Sequence, residues 1–196
     1  MPVSLILASS SPRRRELLLR VGIPFEADAP AVDESCSLPA EEAVAELSLR
    51  KARAAFAAHP GCFVLASDTL VSSGGVSLGK PRDREDARRM LRLLSGRTHQ
   101  VYTGVSVISP DGTARTGVDA SDVTFDPLSG EEIDAYIASG EPMDKAGAYG
   151  IQGLGALFVS RLEGCWSGVM GLPLYLVRRL LREAGYPLFS SPSAEG

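Results

Sequence analysis

Residues 3–19, VSLILASSSPRRRELLL, decide how the chain is read. The apolar run from Val3 to Ala8 predicts a short buried strand that stops in Ser9-Ser10-Ser11-Pro12. Pro12 suits the first turn of a helix, which continues through Arg13-Arg14-Arg15-Glu16 and Leu17-Leu18-Leu19 until Gly22 and Pro24 end it. A strand, a serine-rich turn and a helix with a basic first turn open an α/β unit. Loose amide donors at a helix start attract anions, whereas arginines there are mildly unfavourable without a negative partner. A bound phosphate resolves that conflict; a solvated basic face is the alternative reading.

Working outward, Phe25 to Val32 is expected to be extended and leads through Asp33-Glu34-Ser35 to a helix from Pro39 to Ala58 that embeds Lys51 and Arg53. Cys62-Phe-Val-Leu-Ala66 reads as a second short buried strand. Ser67-Asp68-Thr69 then falls at its carboxyl end, where α/β proteins place their chemistry; a turn or helix cap is the plainer role for Asp68. Leu70 to Leu78 resembles a hairpin around Ser73-Gly74-Gly75, Arg82 to Leu94 an amphipathic helix, and Thr98 to Ile108 with Ala114 to Phe125 an antiparallel pair. A helix over Leu128 to Ala138 starts at Ser129. Glycines 140, 147, 150, 153 and 155 then crowd a segment carrying Glu141, Lys145, Tyr149 and Gln152, so backbone there can approach a ligand closely. Ala156 to Val159 is expected as a strand, and Gly171-Leu172-Pro173 leads into a last helix with Leu174, Val177, Leu180 and Leu181 inward. Strands and helices mingle rather than alternate. The fold class is therefore α/β with a mixed sheet, elongated into two tightly joined lobes over residues 1–189, with a frayed tail over 190–196.

The bulk properties narrow the function. The 196 residues suit one large domain, and a formal charge of -4 gives no global attraction to a nucleic acid polymer or an anionic membrane. Any anion site is local. Cys36, Cys62 and Cys165 fit no zinc motif and leave an odd thiol, so they read as free thiols in a reducing compartment. With no secretory signal or spanning stretch, the cytoplasm is the expected location.

The chemistry-bearing groups are Ser9 with Arg13 and Arg14, Glu34, Asp68, Lys80, and Lys145 with Gln152. Arginine forks and ammonium groups suit phosphate oxygens, and two separated carboxylates suit a hard divalent cation. Together they match water attack on a phosphoryl group, with a carboxylate orienting or deprotonating the water. Other mechanisms lack their parts. His59 and His99, in turn and strand-edge settings, are too few for a histidine metal site and make a serine triad a poor fit. No Walker phosphate loop or Gly-x-Ser-x-Gly elbow occurs.

Six segments then stand in one order: LILASSSPRR at 5–14, SDT at 67–69, LGKP at 78–81, LSGR at 94–97 with VYTG at 101–104, GEPMDKAGAYGIQG at 140–153, and VMGLP at 169–173. In this order they resemble the Maf family of nucleotide pyrophosphatases, and the segment at 140–153 resembles its dTTP and UTP branch. The resemblance implies a Maf/ITPase-like fold with a ligand cleft between two lobes, and cleavage between the α and β phosphates. It implies Asp68 as proton acceptor, with Glu34 and Lys80 beside it in catalysis, and Glu34 and Asp68 around Mg2+ or Mn2+. Ser9, Arg13, Arg14, Lys51, Lys80 and Lys145 fall around the triphosphate, and Arg13, Thr69 and Gln152 at positions tied to substrate choice. The Gln152 amide both donates and accepts, as a pyrimidine edge requires. A homodimer is the assembly the resemblance implies.

Plainer readings stand beside these. Arg15, Arg88, Arg89, Arg178 and Arg179 read as solvated helix faces, Lys51 as a buried stem with its head in water, and Trp166 as core or rim. Cys165-Trp166 and Gln100 depart from the family pattern, the first touching packing near the closing loop and the second a local charge. The rival functions are the same hydrolysis on modified or purine nucleotides, or a nucleotide-binding regulator of cell division in which Asp68 is dispensable.

Overall fold

The computed structural model describes residues 4–189; the expected tail over 190–196 and the start of the first strand at Val3 lie outside them. The elements run β1 (Leu5–Leu7), α1 (Pro12–Arg20), β2 (Glu26–Ala27), α2 (Ala40–Ala58), β3 (Phe63–Ser73), β4 (Val76–Leu78), α3 (Arg84–Leu94), β5 (Thr98–Ile108), β6 (Ala114–Phe125) and α4 (Gly130–Ala138). Three 3-10 turns follow, at Glu141–Asp144, Ala146–Ala148 and Leu154–Phe158, then β7 (Val159–Glu163), α5 (Trp166–Val169) and α6 (Leu174–Glu183). One seven-stranded mixed sheet has the order β2-β1-β3-β5-β6-β7, with β4 added to β3. This is the mixed, twisted α/β sheet flanked by helices that the sequence predicts.

Three local expectations are corrected. β3 does not end at Ala66 but runs on as a single strand, so Asp68 sits at its middle, opposite Gly104 of β5. Its polar residues are tolerated because each finds a partner: Ser67 Oγ donates to the Gly171 carbonyl at 2.8 Å, Asp68 meets Lys51, and Thr69 Oγ1 bonds Thr103 Oγ1 at 3.1 Å. The apolar residues before Val159 form a 3-10 turn, and the strand begins at Val159 itself. Between Phe25 and Val32 only Glu26–Ala27 joins the sheet.

The pairing of β3 is interrupted on one side. β1 pairs in parallel with its first part, Phe63 to Leu65, and β4 antiparallel with its last, Val71 to Ser73. Residues 66–70 therefore pair with no strand on that edge among the described residues, while β5 covers the other edge throughout. Side chains along a strand alternate between faces. Val64, Ala66 and Asp68 face α2, whose Ala52 and Ala55 pack on Ile6, Ala8 and Val64 in one buried cluster. Leu65, Ser67, Thr69 and Val71 face the other way. There one cluster joins Leu65 to Leu17 and Leu18 of α1 and to Leu176, Val177, Leu180 and Leu181 of α6. A second joins Val71, Val101 and Phe125 to Met90, Leu91 and Leu94 of α3 and Ile133 and Ile137 of α4.

Gly104 sets how closely α2 lies on the sheet. A Cβ there would stand 2.1 Å from the Val44 carbonyl oxygen, so any side chain must push the helix away. Lys51 rides on that helix, two turns beyond Val44, and reaches Asp68, the residue paired with Gly104. Gly104→Ala is expected to lower stability by about 1–3 kcal/mol, read as a lower urea midpoint. Gly130→Ala, where nothing lies within 4 Å, should leave the midpoint near the wild-type value.

Candidate active site

The open edge of β3 forms the floor of a cleft of about 590 Å³. Ser9, Arg13, Arg14, Glu34, Lys51, Asp68, Thr69, Lys80, Lys145 and Gln152 all line it, although they come from six separate parts of the chain. Strand alternation divides the cleft into two chemistries. Asp68 points to the α2 side with Glu34 and Lys51, whereas Thr69 and Val71 point to a recess whose walls include Val101, Tyr149, Val169 and Met170, with Gln152 at its rim. Sequence reasoning missed these apolar walls. They look like ordinary core residues in the sequence, and only the register Val71↔Val101 places them side by side.

On the α2 side, Lys51 Nζ donates to Asp68 Oδ1 at 2.5 Å and meets Glu34 Oε1 at 2.8 Å. The ammonium is thus the shared counterion of two carboxylates, and the reading of Lys51 as a solvated head is corrected: its side chain is only 14% exposed. The hydrogen bond from Lys51 holds the Glu34 carboxyl below its ordinary pKa against the opposing pull of burial, with the charges of Lys51, Lys80 and Arg14 adding to it. Two carboxylates converging on one positive point also form a fitting donor pair for a hard divalent cation. Mg2+ in nucleotide sites takes one or two carboxylates and completes its shell with phosphate oxygens and water. No cluster of three or more His, Cys, Asp or Glu side chains could hold a metal alone among the described residues, so phosphate oxygens would have to complete the shell here.

Arg14 is tied to the protein on three sides. Its Nε donates to the Gly171 carbonyl at 2.8 Å, one terminal nitrogen to Ser9 Oγ and the other to Thr69 Oγ1, each at 3.2 Å. Each terminal nitrogen spends one of its two donations in this network. Burial lowers the Arg14 pKa, and the charge of Asp68 opposes that shift. Arg13 instead pairs with Asp144 at 2.8 Å, and Lys145 Nζ donates to Asp144 Oδ1 and the Glu141 carbonyl at 2.6 Å each. α1 is thereby tied across the cleft to the glycine-rich segment. Within that segment the glycines make room for the chain's own side chains: a Cβ at Gly150 would meet Lys145 Cε at 2.7 Å. Lys80 is exposed at the cleft edge. Of the two departures, Gln100 donates to Asp122 at 3.0 Å, and Cys165 Sγ caps the short α5 by accepting from Gly168 N. Trp166 is 42% exposed, outside the core, and does not line the cleft. Arg88, expected as a solvated face, instead pairs with Asp134 at 2.6 Å and Glu85 at 2.7 Å.

His99 was expected at a strand edge and is instead fully buried, edge-on to Phe125 and Tyr149, with Nε2 2.8 Å from the Tyr149 hydroxyl. It therefore supports the recess wall from behind. Burial lowers its pKa to about 4, only partly offset by Asp122. A base with a depressed folded pKa binds more protons unfolded than folded, so its stability contribution is complete above pH 6.5 and is lost as pH falls toward 4. The expected loss between pH 7 and 5 is about 2 kcal/mol. Urea midpoints for wild type and His99→Phe over this range check it, and the variant should show the shallower slope.

Over residues 4–184 the chain matches the family described as Maf-like protein. It is 50% identical over 189 residues to a protein of Symbiobacterium thermophilum named dTTP/UTP pyrophosphatase, with 95% of this chain and 96% of that one covered. It is 51% identical over 186 residues to a protein of the same name from Deinococcus radiodurans, with 94% of each covered. Among solved structures, a HAM1 protein from Coxiella burnetii aligns over 92% of this chain and 99% of its own at a TM-score of 0.55 and 16% identity, a likeness of fold.

Proposed function

This chain belongs to the Maf-like family, and we propose that it hydrolyses dTTP and UTP to the nucleoside monophosphate and pyrophosphate in the cytoplasm, where nucleoside triphosphates are held. The observation that carries this reading is the convergence of Asp68 and Glu34 on one positive point, a strand's width from an apolar recess edged by Gln152. The names of the half-identical relatives support the choice of base. Residues 1–189 act as one domain whose two lobes meet at this cleft.

The base lies in the recess against Val71, Val101, Tyr149 and Met170, and the Gln152 amide offers a donor and an acceptor to its edge. Arg13 and Thr69 contribute to substrate choice indirectly, Arg13 through its tie to Asp144 and Thr69 through its hydroxyl on Arg14. Ser9, Arg14, Lys80 and Lys145 surround the triphosphate at the open edge of β3, where no strand among the described residues blocks it. Glu34 and Asp68 would hold Mg2+ or Mn2+, which when bound supplies charge neutralisation and a more acidic water. Asp68 orients a water and takes its proton as the oxygen attacks the α phosphorus. The bond from that phosphorus to the α,β-bridging oxygen breaks, and pyrophosphate leaves with the electron pair, met by the positive charges of Lys80 and Lys145. Lys51 holds the two carboxylates close together between turnovers.

Steady-state assays on dTTP, UTP, CTP, dGTP, ATP and methylated GTP, with Mg2+ or Mn2+, test the reading. dTTP and UTP should be preferred, yielding monophosphate plus pyrophosphate, and Asp68→Asn should lose about a hundredfold or more in turnover. Unchanged turnover in the variant removes Asp68 from the mechanism. Nucleotide binding with no turnover by the wild type would favour a regulator instead.

A further inference from the structure

Gln152 sits on an irregular loop, yet that loop is fastened at several points to one carboxylate outside the cleft lining. Glu141 Oε1 accepts from the Tyr136 hydroxyl at 2.9 Å and from Gly155 N at 3.3 Å, and its Oε2 accepts from Leu154 N at 2.9 Å. Tyr136 in turn accepts from Gly150 N at 3.2 Å. The backbone on both sides of Gln152 is thus bonded to the Tyr136–Glu141 pair. Contact is tight: a Cβ at Gly153 would stand 2.5 Å from both Glu141 oxygens, and one at Gly155 2.8 Å from the Tyr136 hydroxyl. Burial pulls the Glu141 carboxyl toward its neutral form, but the bonds from Leu154, Tyr136 and Gly155 and the charge of Lys145 outweigh it, and its pKa lies below the ordinary value. Its backbone carbonyl also accepts from Lys145 Nζ at 2.6 Å. One residue therefore holds both the base-reading loop and a cation facing the phosphates.

We propose that Glu141 is a positioning residue for base selectivity: its carboxylate fixes the 150–155 loop so that the Gln152 amide meets the base edge in one orientation. The proposal rests on the assignment of Gln152 to the base. Glu141 does not line the cleft proposed to hold substrate and metal. Its side chain acts on the loop, and the tie to Lys145 runs through its backbone, which a side-chain substitution leaves in place.

Glu141→Gln is nearly isosteric, but its amide NH2 group must face one of the donors that the carboxylate accepts, either Leu154 N–H or Tyr136 and Gly155. The expected result is a KM for the preferred nucleotide raised about tenfold with kcat within about twofold, and pyrimidine-over-purine selectivity in kcat/KM reduced about tenfold. Competitive inhibition by pyrophosphate, which reports the phosphate half alone, should be unchanged. Tyr136→Phe removes one donor and should move the same quantities in the same direction by less; it supplies the test if Glu141→Gln does not fold. A fall in kcat with selectivity unchanged, or weakened pyrophosphate inhibition in step with KM, overturns the proposal. The two readings fail separately, because a wild-type preference for another base contradicts the pyrimidine assignment, whereas Glu141 is judged by whether selectivity shifts from whatever the wild type prefers.

Discussion

The interrupted edge of β3 is the constraint on which the site depends. A central strand paired on both sides throughout would leave no access to its middle. Here β1 stops opposite Leu65 and β4 pairs only from Val71 onward, so among the described residues the stretch between them is held by β5 alone. Adjacent residues of a strand point to opposite faces. Asp68 and Thr69 consequently deliver a carboxylate to one side of the cleft and a hydroxyl to the other with no loop needed to place either. A carboxylate in a strand ladder is more rigidly held than one on a loop, which suits a group that must align a water with a phosphorus.

The charges around that edge compensate one another. Lys51 is the shared counterion of Asp68 and Glu34, Asp144 is the shared counterion of Arg13 and Lys145, and half-buried Arg14 is bonded to three neutral acceptors, Ser9, Thr69 and the Gly171 carbonyl. Arg13 and Arg14 in the first turn of α1, unfavourable beside its amide dipole, have thus found partners from distant segments. These partnerships tie α1, α2, β3 and the glycine-rich segment around one volume. Such pairs are worth little where water reaches them, so their effect is on geometry more than on stability. Stability comes from the three apolar clusters behind them.

Much of this was legible in the sequence. The helices at 12–20, 40–58, 84–94, 130–138 and 174–183 announce themselves by periodicity and capping residues, and Ser129 with Glu132 forms the capping box its spacing suggests. The site residues were legible as residue types, since phosphate chemistry needs cations and carboxylates wherever they fall in the chain. What was not legible depended on long-range pairing. Ser67-Asp68-Thr69 looks like the end of a strand because three polar residues interrupt an apolar run; only β5 on one side and partners 17, 34 and 104 residues away in sequence reveal it as the middle. The recess walls at Val71, Val101 and Met170 are apolar residues among many. His99 gave no sign of burial, because a strand start in sequence is an edge only if nothing packs over it, and Phe125 and Tyr149 do. Glu141 stood in plain view within a glycine-rich segment, but the three groups its carboxylate accepts from, Leu154 N, Gly155 N and the Tyr136 phenol, are ones that no spacing rule connects.

The central claim is that the two faces of β3 divide the nucleotide, phosphates on the side of Asp68 and base on the side of Thr69. A crystal structure of the wild-type protein with Mn2+ and a dUTP analogue carrying an uncleavable imido link between the α and β phosphates tests it most directly. The account predicts the base in the recess beside Val71, Val101 and Tyr149, with the Gln152 amide about 3 Å from its edge and the α phosphate facing Asp68. A base lying outside the recess over Glu34 and Lys80, or phosphates entering the apolar side, would contradict it.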